Sequence, residues 1–282
     1  MIHFFYNPKQ KYLQKFPASI FEESFLRYDD DVVFKVLEER FIRFISPGDS
    51  VFFYNMRYTS RPKMCSEIEA RGGKIINKPK LDGKLEMAKA FAEEGLPSPK
   101  YSFTKAGTLD QSSLTNFSFP IIIKPIKGSA GGKGIFFCES PSEVPRVLEK
   151  DMIIQEYITD ARNHIIRLNT VDDKVMLSVK VITETGSPII NAASNGITEM
   201  YTPSQEECDL AVSGARVAGL DISGVDMAQT ESGPVIIEVN AVPGFTSGAK
   251  FGIPFHDYMV DLIVKREREY QVLTATSRAD TI

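Results

Sequence analysis

The sequence is poor in the residues that build disulfide frameworks and zinc sites. Its 282 residues include three cysteines and three histidines, and both types are dispersed without the spacing of metal ligands. The cysteines are Cys65, Cys138 and Cys208. A small, odd number of scattered cysteines is typical of a reducing compartment. We therefore expect a cytoplasmic protein that carries neither structural zinc nor disulfides.

Long apolar runs and an excess of basic residues are also missing. No run reaches the length that spans a membrane, and the first residues lack the basic start and apolar core of a signal peptide. The net charge is −4, which gives no electrostatic footprint for nucleic acid. The composition, with 43% hydrophobic and 25% charged residues, is that of an ordinary soluble globular protein. We expect no membrane and no nucleic-acid partner.

Strands and helices alternate over the first 80 residues. The pattern predicts strands at Ile2 to Tyr6, Val51 to Tyr54 and Lys74 to Ile76, and helices at Asp31 to Arg43 and Pro62 to Arg71. This order predicts a small parallel sheet with covering helices. The first strand is not followed by a Gly-x-Gly-x-x-Gly pattern, so the sequence does not indicate a dinucleotide site there.

The strongest chemical pattern lies between Ser223 and Gly244. Two β-rich runs flank residues 231–234, Glu-Ser-Gly-Pro, which read as a hairpin turn. A symmetric hairpin places Asp226 opposite Glu238, and strand alternation puts Asn240 on the same face as Glu238. The opposite face would then hold Val235, Ile237 and Val239. Three oxygen-bearing side chains at one spot suit Mg²⁺; the alternative is a solvated acidic face.

A glycine-rich loop follows a strand predicted at Ile121 to Ile126 and precedes one at Ile135 to Cys138. The loop contains Gly128, Ser129, Gly131, Gly132 and Gly134. Glycines let backbone N–H groups approach phosphate oxygens, but the spacing does not fit a Walker A motif. A flexible surface hairpin is the alternative. Lys124, within the apolar strand, favours an anion site because a buried ammonium group needs an anion.

Further helices are predicted from their start signals. Asp82 is a candidate N-cap for a helix from Lys84 to Glu94. Ser140 and Ser204 each begin a capping-box pattern, which predicts helices reaching about Lys150 and about Leu220. A closing helix is predicted from Phe255 to about Tyr270, followed by a polar, poorly ordered tail. The apolar face of this closing helix consists of Phe255, Met259, Leu262 and Ile263.

Three more strands are predicted, at Met152 to Gln155, Ile165 to Asn169 and Val175 to Ile182. Arg167 interrupts the second of them. Its guanidinium either pairs with a nearby carboxylate or is aimed at an anionic intermediate, and the sequence leaves both interpretations open.

These patterns together resemble the ATP-grasp superfamily, and the nearest branch looks like the RimK-like ligases. The resemblance covers roughly residues 75 to 265. It implies an α/β (α+β) fold in which two α+β subdomains clasp ATP, preceded by a small Rossmann-like N-terminal domain. The implied domains are 1–80, 81–158 with the glycine-rich lid, 159–270 with the metal site, and a tail at 271–282.

The resemblance also implies a role for each matching residue. ATP would be held by Lys84, Lys124, the loop residues Gly128, Ser129, Gly131 and Gly132, and the hinge residues Gln155, Glu156, Tyr157 and Ile158. Two Mg²⁺ ions, with Mn²⁺ as an alternative, would be held by Asp226, Glu238 and Asn240. The catalytic residues would be Arg167 and Asn195.

Two positions depart from the RimK-like pattern. Ile165 stands where an aspartate would serve the ribose, and Asp160, Asn163 and His164 are candidate replacements. Ala193 stands where an arginine is expected, and the region 196–203 is shortened. The shortened region normally helps to hold the amino-acid substrate or phosphate, so the specificity for the acceptor does not follow from the resemblance.

The function implied by the resemblance is an ATP-dependent carboxylate–amine ligase. Such an enzyme would form an amide bond through an acyl phosphate, adding an amino acid such as glutamate to a small-molecule or peptide carboxylate. The alternatives are an ATP-grasp small-molecule kinase and a non-catalytic ATP-binding regulatory protein. The partners would be ATP and the carboxylate and amine substrates, and a homodimer or tetramer is expected by analogy alone.

Overall fold

The computed structural model describes ten stretches of the chain, namely residues 1–6, 19–28, 34–54, 61–81, 83–127, 134–161, 163–183, 188–190, 196–244 and 246–279. Two compact units divide the chain. One consists of Met1–Lys78 with Gly244–Ile282, and the other is Pro79–Pro243. The prediction of a mixed α/β fold is confirmed. The finer domain boundaries after residues 80, 158 and 270 stay predictions.

The described residues form fifteen strands and six α-helices. The strands are β1 Ile2–Tyr6, β2 Phe34–Glu38, β3 Ser50–Tyr54, β4 Lys74–Ile76, β5 Tyr101–Thr104, β6 Gly107–Thr108, β7 Ile121–Pro125, β8 Phe136–Cys138, β9 Val147–Leu148, β10 Met152–Glu156, β11 His164–Val171, β12 Lys174–Thr183, β13 Gly196–Met200, β14 Ile222–Thr230 and β15 Gly233–Asn240. The helices are α1 Ser19–Phe25, α2 Arg61–Ala70, α3 Lys84–Glu93, α4 Gln205–Ala218, α5 Thr246–Lys250 and α6 Phe255–Ala279.

The first unit contains a four-stranded sheet in the order β2-β1-β3-β4. Every pairing in it is parallel, so the predicted small parallel sheet is confirmed. The side chain of Phe4 lies between neighbours on the same face, with its ring centroid 4.5 Å from that of Phe21 and 5.3 Å from that of Phe52. The Rossmann-like description of this part stays a prediction.

The helix predicted from Asp31 to Arg43 is wrong. Residues Phe34–Glu38 form the edge strand β2, which pairs with β1 in the register Ile2 to Phe34. A 3₁₀ helix then covers Glu39–Phe44, and residues 31–33 lie outside the described part. The apolar residues of this stretch fit a half-buried strand as well as a helix, and pairing with the buried strand β1 decides between the two.

The second unit contains antiparallel sheets of four and five strands, besides the two-stranded pair of β6 and β9. One has the order β5-β10-β7-β8 and the other β13-β12-β11-β14-β15. Helix α4 packs on the five-stranded sheet with Leu210 and Ala211 against Leu168 and Val225. The capping box predicted at the start of α4 is present, with Ser204 accepting from the Glu207 backbone and Glu207 accepting in return.

The capping box predicted at Ser140 does not open a helix. Only a single 3₁₀ turn forms, at Pro141–Glu143, and the chain then continues into β9. Pro145 explains the difference. A proline in the second turn lacks the N–H that a helix needs, and it forces the preceding residue out of the helical region. Val144 is indeed extended, with φ −69° and ψ 126°.

Two helix ends also differ from prediction. The N-cap of α3 is Gly83, which makes no side-chain cap hydrogen bond, and the predicted cap Asp82 lies outside the described residues. Helix α6 runs on to Ala279 rather than ending near Tyr270, because no glycine or proline interrupts residues 271–279. Its predicted apolar face is confirmed, since Phe255, Met259, Leu262 and Ile263 are all buried.

Several short elements were not predicted from the sequence, among them the edge strands β5 and β13.

Within the described stretches, no helix has both the length and the apolarity that crossing a bilayer requires.

We expect Asp49 to make the stability of the first unit depend on pH. The carboxylate accepts hydrogen bonds from the Ser46 backbone and from Nε2 of the buried His3, the latter at 2.8 Å. Burial opposes its charge, but these bonds hold the pKa of Asp49 below its ordinary value. The stability that they contribute is present above the unfolded pKa of about 3.9 and is lost as the pH falls through the folded pKa.

The variant Asp49→Asn should lower the free energy of unfolding near pH 7 by about 1.5–3 kcal/mol, the range for hydrogen bonds to a charged group. It should lose less stability than the wild type on acidification to pH 3. Urea unfolding at several pH values measures both effects, and equal acid sensitivity of the two proteins would contradict the assignment.

Candidate active site

The hairpin of β14 and β15 brings the predicted metal ligands together. Asp226 lies directly opposite Glu238 in the antiparallel register, as predicted, and Gly224 lies opposite Asn240. The amide nitrogen Nδ2 of Asn240 is 3.4 Å from Oδ2 of Asp226. The three side chains therefore converge on the same face of the hairpin.

The predicted alternation along β15 is wrong at one point. A β-bulge shifts the register between Asp226 and Met227, so that Met227 lies opposite Ile236 and Ile237 is the extra residue. Val239 packs in the core on the face opposite Glu238, as predicted, but Ile236 packs there in place of the predicted Val235 and Ile237. A bulge adds one residue to one strand and changes the phase of its alternation. The phase is regained at Glu238, which therefore faces the site.

Arg167 on β11 pairs with Asp226 through both ends of its guanidinium group. Nε donates to Oδ1 at 2.6 Å and Nη2 donates to Oδ2 at 2.7 Å. The two residues also lie opposite each other in the β11–β14 register, so the backbone positions fix the pair. Asp226 raises the pKa of Arg167. The structure therefore supports the first interpretation of Arg167, in which its guanidinium group pairs with a nearby carboxylate.

Lys84 reaches the site from the first residue of α3. Its backbone N–H donates to the carbonyl of Ile126 at 3.0 Å. Gly83 permits this approach, because a Cβ there would lie 2.9 Å from the same carbonyl oxygen and the residue has φ +131°. The ammonium Nζ of Lys84 lies 3.4 Å from Oε1 of Glu238. A helix start anchored on the end of β7 thus directs this lysine at the second carboxylate.

Lys124 lies on β7 and is only 6% exposed. Among the described residues, its ammonium group has no hydrogen bond or ion pair. Burial lowers the pKa of Lys124, and the carboxylate of Glu238 acts against this effect. Burial of an ammonium group without a direct partner is costly unless an anion compensates it. Lys124 is therefore the side chain of this site that most needs an external anion.

The charges at the site are coupled. Burial opposes the negative charge of Glu238, but Lys84 and Lys124 hold the pKa of Glu238 below its ordinary value. Lys84, Lys124 and Arg167 surround Asp226 and Glu238, so three cations face two carboxylates. The site carries a net positive charge, which suits a polyanionic ligand.

The donor set fits magnesium. Two carboxylates and one amide oxygen are hard ligands of the kind that Mg²⁺ takes from proteins, with water and phosphate oxygens completing its coordination. Within the described stretches, no group of three or more His, Cys, Asp and Glu side chains comes together. The set depends on Asn240 as its third member. Asp226, Glu238 and Asn240 are therefore the residues that could hold the metal.

The predicted hinge consists of the last two residues of β10 and the two residues after it. Gln155 is buried and lies between Tyr101 and Ile122 in the sheet register. Two hinge backbone amides already donate within the protein, from Glu156 to Lys100 and from Tyr157 to Pro120. In the part of the chain that the structure describes, the amide of Ile158 makes no backbone hydrogen bond. Ile158 is thus the hinge residue whose N–H can donate to an acceptor on a ligand.

The sequence reasoning missed an aromatic wall beside the hinge. Phe137 lies opposite Ile122 on β8, and its ring meets that of Tyr157 edge-on, with centroids 4.8 Å apart. A flat heterocycle would pack well against such a wall. The sequence signal for this residue was its position just beyond the glycine-rich loop. Phe137 lies on the same face of the sheet as Lys124.

A second missed residue is Gly224, two positions before Asp226. A Cβ at Gly224 would lie 3.1 Å from Oδ1 of Asn169 and 3.3 Å from Cα of Pro243. The glycine therefore lets the chain after Asn240 return closely over the sheet.

Some predicted site residues cannot be placed. Gly128, Ser129, Gly131, Gly132 and Asn195 lie outside the described residues, as does Ala193. Of the candidates for the ribose contact, Asp160 and Asn163 are exposed near the hinge. His164 lies on the face of β11 opposite to Arg167, with the core residue Ile166.

Comparison with known proteins agrees with this geometry. Residues 82–263 match the model of the RimK-like ATP-grasp domain. A relative from Haemophilus influenzae, named probable alpha-L-glutamate ligase, is 29% identical over 187 residues, which make up 62% of this chain and 62% of that relative. The aligned part thus spans less than two thirds of the relative's own length.

Solved structures of low identity share the fold. An ATP-grasp ligase, PsnB, complexed with minimal precursor, Mg and ADP, is 17% identical with a TM-score of 0.66, covering 95% of this chain and 98% of that chain. D-alanine–D-alanine ligase from Bacillus anthracis is 15% identical with a TM-score of 0.70, covering 95% and 98%. The fold is therefore the ATP-grasp fold, and the family match over residues 82–263 makes this chain a member of the RimK-like ATP-grasp family.

Proposed function

We propose that this protein is an ATP-dependent carboxylate–amine ligase that forms an amide bond and releases ADP and phosphate. The observation that carries the proposal is the cluster of Lys84, Lys124 and Arg167 around Asp226 and Glu238. A buried, unpaired ammonium group at Lys124 needs a polyanion, and the two carboxylates suit the metal that accompanies ATP. The family match and the name of the Haemophilus influenzae relative support the same activity.

The reaction would proceed in two steps. A substrate carboxylate attacks the γ-phosphorus of ATP, the bond to the bridging oxygen of ADP breaks, and an acyl phosphate forms. An amine then attacks the acyl carbon, phosphate leaves, and the amine loses a proton. Magnesium, held by Asp226, Glu238 and Asn240, would supply charge neutralisation on the phosphate oxygens.

The protein's own residues bind and orient the reactants in this proposal. Lys84 and Lys124 hold phosphate oxygens, and the glycine-rich loop around residues 128–134 closes over them and excludes water. The hinge amide of Ile158 and the ring of Phe137 hold the adenine. Arg167 neutralises the charge that develops on the transferred phosphate and acyl oxygens. Asn195 assists there, as the family resemblance implies.

The first test identifies the product. The protein is incubated with ATP, Mg²⁺, a pool of amino acids and a metabolite extract, and small molecules are compared by mass spectrometry. We expect ATP-dependent species that are heavier than a carboxylate of the extract by one amino-acid residue. A phosphorylated product without an amine would instead establish a kinase, and intact ATP in the presence of measured ATP binding would establish a non-catalytic binding protein.

Glu238→Gln should reduce turnover at least about a hundredfold, on the scale of losing one strong electrostatic stabiliser. The substitution keeps the shape of the side chain and removes the charge that faces Lys84. ADP release in a coupled assay measures the effect. Glu231→Gln, in the exposed turn of the same hairpin, is the matched control and should leave turnover unchanged. Near-normal turnover of Glu238→Gln would remove the metal assignment.

Lys124→Met should weaken ADP binding at least about tenfold, or about 1.4 kcal/mol, because an ammonium contact to phosphate is lost. The variant should fold as stably as the wild type or more so, since it removes a buried charge. Calorimetric titration and thermal unfolding give the two results. Lys89→Met, an exposed position on α3, serves as the control; wild-type affinity in Lys124→Met would show that Lys124 does not hold the nucleotide.

A further inference from the structure

Strand β15 is the last strand of its sheet among the described residues. One of its edges pairs with β14, and the backbone N–H groups on its other edge need partners of a different kind. Two such partners are present. The amide of Ile236 donates to the carbonyl oxygen of Pro97 at 2.9 Å, and the amide of Val239 donates to Sδ of Met87 at 3.3 Å. The outer edge of β15 is thus held by α3 and the residues that follow it.

The bond to Met87 is made at the candidate metal site itself. Val239 stands between Glu238 and Asn240 in the sequence, and its own side chain is buried in the core. Its amide therefore belongs to the stretch of backbone that positions both candidate ligands. A displacement of this amide would move both of them relative to Asp226 on the neighbouring strand.

Met87 lies on the same face of α3 as Lys84. The two residues are three positions apart, which is close to one helical turn, and both line one small cavity together with Glu238. The start of α3 is fastened to β7 by the bond from the Lys84 amide to Ile126, and one turn later Met87 fastens the helix to β15. Helix α3 thus bridges the strand of Lys124 and the strand of Glu238.

Packing alone does not require a methionine at position 87. Phe91, one turn further along α3, is buried and packs with Ile236 and Val239, whereas Met87 lies at the margin of this core and is only partly buried. Leucine has a similar volume, and the exchange of leucine and methionine is usually tolerated. Leucine cannot supply an acceptor, however, because the thioether sulfur is the group that receives the N–H.

We infer that Met87 is a positioning residue of the proposed ligase reaction. Its sulfur accepts the Val239 amide and so holds the helix that carries Lys84 at a fixed place beside Glu238 and Asn240. Because a thioether is a weak acceptor, the bond contributes to the alignment of the site more than to the stability of the fold. The inference rests on the proposed function and adds to it a residue that acts through Lys84 and Glu238.

Two substitutions separate the hydrogen bond from the packing. Met87→Leu keeps an apolar side chain of similar volume and removes the acceptor. Met87→Gln brings a polar group to the margin of the core but offers a carbonyl oxygen that can accept the same N–H. A packing role predicts that leucine is the better replacement, whereas a role as acceptor predicts that glutamine is. The two roles therefore predict opposite orders.

The bond itself is measured on the amide of Val239, by NMR of the ¹⁵N-labelled, ligand-free protein. In Met87→Leu we expect the Val239 proton to shift upfield and to exchange with solvent at least about tenfold faster, since a protected amide exchanges only when its bond opens. In Met87→Gln both quantities should stay close to those of the wild type. The control is Met64→Leu, which removes the sulfur of a buried methionine of α2 in the first unit and should leave the Val239 signal unchanged.

The consequence for the site is measured by the binding of Mn²⁺ in the presence of ADP, followed by electron paramagnetic resonance, and by the release of ADP during turnover. Met87→Leu should weaken Mn²⁺ binding at least about fivefold and lower kcat at least about tenfold, because a small displacement of the groups that align metal and phosphate is costly. Met87→Gln should stay close to the wild type in both. Thermal unfolding should rank the two variants the other way, with Met87→Leu the more stable.

A wild-type Val239 signal in Met87→Leu would overturn the positioning role, as would a leucine variant that equals or exceeds the glutamine variant in Mn²⁺ binding or in kcat. The ligase proposal is judged on the wild-type protein alone. If the wild type forms no amide product while the Val239 signal and Mn²⁺ binding respond as expected, the role of Met87 at the metal site stands and the proposed reaction fails.

Discussion

The bidentate pair between Arg167 and Asp226 is the interaction on which the site depends. Both residues come from neighbouring strands at directly opposed positions, so the sheet itself holds the guanidinium against the carboxylate at 2.6 and 2.7 Å. The other charged side chains of the site, Glu238, Lys84 and Lys124, lie around this pair. Glu238 faces Lys84, and Lys124 lies buried among them. The arrangement combines two carboxylates that can bind a metal with three cations that can bind phosphate, and the cations are in excess by one charge.

The sequence predicted the pairing of Asp226 with Glu238 better than it predicted several of the elements around that pair. The register of Asp226 and Glu238 followed from a symmetric two-stranded hairpin, because a short turn leaves few alternatives for pairing. The bulge at Ile237 could not be foreseen, since no glycine marks it and both phases of alternation place an apolar residue in the core. The outer half of the hairpin pairs about the two-residue turn Glu231–Ser232, not about Ser232 as the prediction assumed. The extra residue Ile237 makes up this difference, so that Asp226 and Glu238 are opposed.

The wrong helices have separate physical causes. At Ser140 the capping pattern gives only a single 3₁₀ turn without a side-chain cap hydrogen bond, and Pro145 removes the second turn that a helix needs. Residues 34–38 have apolar residues at helical spacing but form a strand of the parallel sheet. Their partner strand β1 lies about thirty positions earlier in the sequence, so no local pattern reveals the pairing. The role of Lys84 was predicted from the family resemblance alone, for a similar reason. Its role at the site depends on the carbonyl of Ile126, which no local pattern around Lys84 reveals.

The bulge in β15 has a consequence for how the hairpin tolerates change. It separates an inner half, which carries Glu238 and Asn240, from an outer half that ends in the exposed turn Glu231–Ser232. A residue inserted at the exposed turn would lie on the far side of the bulge from Glu238 and Asn240. The turn is therefore a suitable place to attach a fluorescent label or a linker, because a probe there would lie outside the candidate active site.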